Sequence, residues 1–156
     1  MMAFTDLFRE LRQSDYNVMT ITSKHGAIIN GKKTTRTKFF ETLDNFSNTG
    51  QKFVLFHYSI LSEGINVHGL TNVVLLRNLS TVEMAQTIGR VIRLDSVDRQ
   101  RVSDGTLQPR AYHNYRKPTG FISIPVYNNY GKATAKRVQA TVDTIFTKGR
   151  PATSWI

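Results

Sequence analysis

The spacing of apolar residues changes several times along this chain, and each change marks an element. In AFTDLFRELRQ (3–13), Phe4, Leu7, Phe8 and Leu11 recur at helical spacing. NVMTIT (17–22) is a short apolar run of the kind that forms a buried strand, and Ser23-Lys24-His25-Gly26 breaks it. Thr34 or Thr35 can cap a helix running to about residue 46, with Phe39, Phe40, Leu43 and Phe46 on its apolar face. Asn48-Thr49-Gly50 ends that helix, and KFVLFHY (52–58) is a continuous apolar strand. A loop containing Gly64 and Gly69 leads to a second such strand, NVVLLR (72–77), and then to a helix over about 81–93. Residues 95–119 are polar and aperiodic, with Gly105, Pro109 and Pro118, which predicts a long irregular loop or insertion. FISIPVY (121–127) reads as a strand with an edge or bulge at Pro125. Lys132–Phe146 reads as a closing helix with Ala135, Val138, Val142 and Phe146 inward. Short apolar strands alternating with amphipathic helices predict an α/β fold with a mostly parallel sheet flanked by helices.

Composition narrows the class. A chain of 156 residues, 40% hydrophobic and 10% aromatic, is long and apolar enough for one folded domain spanning 1–156. It has no cysteine, which excludes disulfides and thiolate metal sites. No apolar run approaches the ~18–20 residues of a membrane span, and no signal-peptide core opens the chain, so a cytoplasmic protein without membrane partners is expected. The formal net charge of +10 points to polyanions, nucleic acid above all. Arginines and lysines crowd the second half, from Arg90 and Arg93 to Lys148 and Arg150.

Several familiar chemistries fail on inspection. Gly26-Ala-Ile-Ile-Asn-Gly31-Lys32-Lys33 nearly matches a phosphate-binding loop, but Lys33 stands where a hydroxyl should meet Mg²⁺. Its Ala-Ile-Ile-Asn interior is also bulky and apolar for a loop whose amides must wrap phosphates. His25, His57, His68 and His113 lack metal-ligand spacing, so no metal site is expected. No G-x-S-x-G turn offers a nucleophile. Asp95 and Asp98 lie among arginines, where ion pairing is the simpler account.

What remains is QTIGRVIRL (86–94). Wound as a helix, Gln86, Arg90 and Arg93 fall within an arc of roughly 60°, with Met84, Ile88, Val91 and Ile92 opposite. Like charges at this spacing repel by a few tenths of a kcal/mol in a helix. The pair makes sense against a group with charge on several oxygens, such as a triphosphate. Gly89 beside it would allow close approach of a partner surface. In an open α/β sheet, ligands gather beyond the carboxyl ends of the strands. The loop after 52–58 and the helix after 72–77 would both open on that edge.

S-E-G-I-N-V (62–67), strand NVVLLR (72–77) and Q-T-I-G-R-V-I-R (86–93), in this order, resemble motifs V and VI of superfamily 2 helicases. The sixth motif there reads Q-x-x-G-R-x-x-R, and all four fixed positions match. The upstream pattern is similar too: a strand ending in His25-Gly26, then Arg36, Phe40, Leu43 and Phe46 in a helix. The resemblance covers residues 3–94, with 120–146 as a last strand and helix. Its style is that of restriction-type and phage or recombination helicases.

This resemblance implies the second, C-terminal RecA-like lobe of an ATP-dependent DNA helicase or translocase, a three-layer α/β domain. RNA is a possible substrate in place of DNA. Arg90 would be the arginine finger on the γ-phosphate and Arg93 its companion. Gln86, Gly64 and Asn66 would face the nucleotide, Asn66 standing where many members carry Asp. Ser23, Lys24 and His25 would touch the nucleic-acid backbone, as would Tyr58, which stands where members often carry Thr. ATP and Mg²⁺ would bind only together with a first lobe, whose phosphate loop and Asp-Glu pair these residues do not include. The isolated chain, a fragment or one piece of a split protein, would then be inactive as an ATP hydrolase. The setting implied is the interior of a bacterium or a phage-infected host. Two other readings stay open: a non-catalytic basic nucleic-acid-binding module on the same scaffold, and a self-sufficient nucleotide binder built on Gly26–Lys33.

Overall fold

The structure, a computed structural model, describes residues 2–58, 67–125 and 129–145. Two compact units divide the chain, Met1–Gly69 and Leu70–Ile156.

The first unit is built on β1 (Asn17–Thr22), whose Val18, Met19 and Ile21 are buried. β1 pairs antiparallel with β2 (Gly26–Ile29), Met19 opposite Ile29, and β3 (Lys32–Thr34) continues the sheet beyond β2. On its other side β1 pairs parallel with β4 (Phe53–His57), Val18 opposite Val54, giving the order β3-β2-β1-β4. The sheet is therefore mixed, not the mostly parallel one that the alternation of strands and helices predicts. The cause is local. Asn30 and Gly31 adopt φ of 49° and 83° between Ile29 and Lys32, the two positive values that a tight two-residue hairpin requires. Asn30 also ties the turn back to β1: its Oδ1 accepts from the Val18 amide at 2.8 Å, and its own amide donates to Val18 O at 2.8 Å. The segment Gly26–Lys33 is thus a hairpin, and its ladder engages backbone groups that a phosphate loop would need free.

Two helices accompany this sheet. α1 (Met2–Gln13) brings Phe8 within 5.0 Å of Phe56 of β4, ring centre to ring centre. α2 (Arg36–Thr49) begins at Thr35, whose side chain accepts from the Lys38 amide, and ends at Gly50 in the left-handed region. Phe39 and Leu43 form its buried face, with Phe40 edge-on to Phe39 at 5.5 Å.

In the second unit, β5 (Asn72–Val74) and β6 (Phe121–Ser123) form a two-stranded parallel sheet, and the Leu75 amide extends it by bonding Ser123 O. Both strands are shorter than the apolar runs 72–77 and 121–127, and residues 126–128 lie outside the described ones. Between the strands in sequence come α3 (Thr81–Val91) and α4 (Ser96–Ser103), and α5 (Asn129–Ile145) follows β6. Met84 and Ile88 of α3 share a core with Val138 and Val142 of α5, and with Leu75 and Leu79. Val73, Ile122 and Ile124 pack against it. Ala135 is half-buried, and Phe146 is outside the described residues. The polar stretch 95–119 is more ordered than its composition predicts. Asp95 caps α4 by accepting from the Val97 amide, and Tyr112–Asn114 form a 3₁₀ turn. Among the described residues no helix is long and apolar enough to cross a membrane.

The start of α3 is fastened by a reciprocal cap. Ser80 Oγ accepts from the Glu83 amide, while the Glu83 carboxylate accepts from the Ser80 amide at 2.9 Å and pairs with Arg77 at 2.9 Å.

Two outcomes check these contacts. Phe39→Ala should destabilise the protein by about 3–5 kcal/mol in urea titrations, because Phe39 is fully buried; a loss below ~1 kcal/mol would contradict that packing. The Arg77 hydrogen bond, then those from Ser80, hold the Glu83 carboxyl at about 2 against an ordinary 4.5. Its stabilisation is complete above the unfolded value and is lost as pH falls through 4.5 toward 2. Thermal melts of Glu83→Gln should therefore show a shallower acid limb over that range than melts of the parent.

Candidate functional site

The candidate site grows from the far end of α3. Met84, Ile88 and Val91 are buried, so the opposite face, with Gln86 exposed and Arg90 half-buried, is fixed by the core beneath it. Gly89 lies beside Arg90. Among the described residues nothing comes within 4 Å of a Cβ built on it. A helix-interior glycine costs roughly 1 kcal/mol against alanine, and no packing among the described residues requires this one.

The helix predicted over 81–93 stops at Val91. Ile92 is its C-cap, donating to Ile88 O at 3.1 Å, so Arg93 stands just past the end rather than on the helical arc with Gln86 and Arg90. The two arginines still feel one another. Burial first, and the charge of Arg93 second, push the Arg90 guanidinium below its ordinary pKa. A guanidinium so perturbed stays protonated at neutral pH. Arg90 and Arg93 thus lie within each other's field at the end of α3.

The end of α3 is met by the stretch that read as an irregular loop. Lys117 Nζ donates to Val91 O and, at 2.8 Å, to Arg93 O. These carbonyls bracket the helix end, where intrahelical donors run out. Asp98, fully buried on α4, accepts from the Lys117 amide at 3.1 Å and lies 3.6 Å from Arg101. Arg101 in turn donates to Asn114 O, and Arg116 pairs with Asp95 at 3.7 Å. Gly120 then passes so close that a Cβ there would sit 2.6 Å from Val91 O. The ion pairs of Asp95 and Asp98 are those expected from their place among arginines, but no sequence signal marks Lys117 or Gly120 beyond their place in a polar, aperiodic segment.

The other predicted contacts fall in the first unit. Ser23, Lys24 and His25 form the exposed turn between β1 and β2, where the His25 amide donates to Thr22 Oγ1 at 3.0 Å. Tyr58, 67% exposed, directly follows β4. The parallel register, Ile21 opposite His57, puts the turn and Tyr58 at the carboxyl ends of neighbouring strands. Gly64 and Asn66 lie outside the described residues. Among the described residues no group of three His, Asp or Glu side chains is placed to hold a metal ion.

No curated protein and no solved structure matches the chain significantly. A family model does. The helicase conserved C-terminal domain matches residues 1–95, which take in α3, Arg90 and Arg93 and stop short of Lys117. With more than half of its length in that match, the chain belongs to the helicase C-terminal domain family.

Proposed function

We propose that this chain is the second RecA-like lobe of a superfamily 2, ATP-dependent DNA helicase or translocase. It would contribute motifs V and VI to an ATP site completed by a first lobe. One observation carries the reading: a half-buried arginine in the last turn of a helix is followed three residues on by a second arginine just past the helix end, within the stretch that the helicase family covers. A γ-phosphate with charge on three oxygens would turn the repulsion between them into attraction.

ATP bound between the lobes would supply the phosphoryl bond whose cleavage drives the motor. Toward it, Arg90 would direct its guanidinium at the γ-phosphate and stabilise charge as it develops in the transition state. Arg93 would add a second cation at the same edge, and Gln86 a neutral donor one turn away on the same helix. The open surface over Gly89 fits close approach by the nucleotide or the opposing lobe. Gly64 and Asn66 of motif V would be further nucleotide contacts, as the resemblance implies. Mg²⁺ would be held by the first lobe. Ser23, Lys24, His25 and Tyr58, gathered at one sheet edge, would offer amides, a cation and an aromatic face to the nucleic-acid strand. The net charge of +10 favours such a polyanion. It equally favours the second reading, a basic nucleic-acid-binding module without turnover.

One assay separates the two. The 156-residue chain alone should show no ATP turnover. Joined by its first lobe, it should hydrolyse ATP in response to nucleic acid, and Arg90→Ala should lower kcat about 10³-fold or more with nucleic-acid affinity retained. An Arg90→Ala protein that turns over ATP normally would remove Arg90 from the chemistry. Nucleic-acid binding with no turnover in the joined protein would favour the module.

A further inference from the structure

We infer that Lys117 is a positioning residue for the Arg90–Arg93 pair: its ammonium locks the end of α3, and with it the direction in which the two guanidiniums are presented. The inference rests on the proposed role of those arginines. It adds a residue that lies 22 positions beyond the matched family segment, which ends at residue 95.

Arg90 is in the last turn of α3 and Arg93 is two residues past its end, so the chain between them is the segment whose backbone must be fixed. That segment offers the Val91 and Arg93 carbonyls, and Lys117 Nζ donates to both. A cation in this place also complements the negative end of the helix dipole. It adds a third cation near Arg90 and Arg93, at a place where the helix dipole and the charge of Asp95 favour one. Lys117 is itself held from behind, because buried Asp98 accepts its amide and Gly120 packs its successor segment against Val91. Burial lowers the Lys117 pKa, opposed by the charge of Asp95, so desolvation is the cost of placing an ammonium here. A surface lysine would carry no such cost; a lysine that spans two backbone carbonyls with a buried carboxylate on its amide is placed for what it holds.

A misplacement of about 1 Å in a catalytic group can cost on the order of 10²-fold in rate, and this sets the size of the expected effect. Lys117→Met keeps the aliphatic stem and removes the ammonium, while Lys117→Arg keeps a cation. In the 156-residue chain, amide hydrogen exchange at Ile92 and Arg93 should accelerate at least about tenfold in Lys117→Met, with Met84 and Ile88 unchanged. Lys117→Arg should restore much of the protection. In the two-lobe protein, Lys117→Met should lower kcat about 10- to 100-fold with KM for ATP within about twofold, and Lys117→Arg should recover most of it. Unchanged exchange at Ile92 and Arg93 overturns the inference, whatever the assay shows. Altered exchange with parental kcat, in a protein where Arg90→Ala is inactive, also overturns it. Normal turnover by Arg90→Ala would instead remove the arginine-finger reading, a separate outcome read from a separate variant.

Discussion

The end of α3 is the constraint around which the second unit is arranged. A helix that stops leaves carbonyls facing outward, and this one stops with two arginines nearby, so the same few ångströms hold excess acceptors and excess positive charge. Lys117 answers the first need by donating to Val91 and Arg93. It would worsen the second if the helix dipole and Asp95 did not favour a cation there. The detour from Asp95 to Gly120 follows from this. α4 exists to bury Asp98, Asp98 fixes the Lys117 backbone, and Gly120 has no side chain because Val91 already occupies the space. At the opposite end of the helix the arrangement is reversed in sign, with a carboxylate, Glu83, answering exposed amides and Arg77 answering the carboxylate. Both termini of α3 are therefore closed by charge, and its middle by Met84 and Ile88 against α5.

How much of this was legible beforehand depends on whether a feature writes itself into local periodicity. α1, α2, α3 and α5 do so, and Thr35 and Gly50 mark the ends of α2 as side-chain chemistry and backbone freedom require. α4 does not. SVDRQRVS is polar on every side, and the residue it buries is an aspartate, so hydrophobic patterning has nothing to register. The predicted end of α3 lies two residues too far because the apolar stripe runs on through Ile92, while the residues that meet the actual end lie some 25 positions later. The arginines themselves were visible as a repulsive pair and as part of a multi-residue motif, and the structure keeps them within each other's field. Lys117 was invisible for the opposite reason: a lysine in a basic, aperiodic stretch looks like every other lysine.

The mixed sheet has a similar lesson on the other side of the chain. Asn30-Gly31 is a strong hairpin signal, yet it sits inside a near-match to a phosphate loop, and the two readings compete for the same glycines. Geometry decides between them. Two positive φ values in succession and a side chain bonded back to Val18 commit these residues to reversing the chain. The hairpin adds β2 antiparallel to β1 and β3 antiparallel to β2, and leaves the parallel β1–β4 pair to carry Tyr58 beside the β1–β2 turn.

The β5–β6 pairing bears on where this protein can be cut. The family match ends at residue 95, and an excision there would seem to spare every matched motif. It would in fact strip β5 of its only strand neighbour among the described residues, remove Val138 and Val142 from the core of α3, and take away the lysine beneath Val91. The portion inherited in recognisable form is thus smaller than the portion that must be synthesised before α3 has a floor. A ribosome that has released Arg93 has made the motif, and only after residue 142 has it made all the described surfaces on which that motif rests.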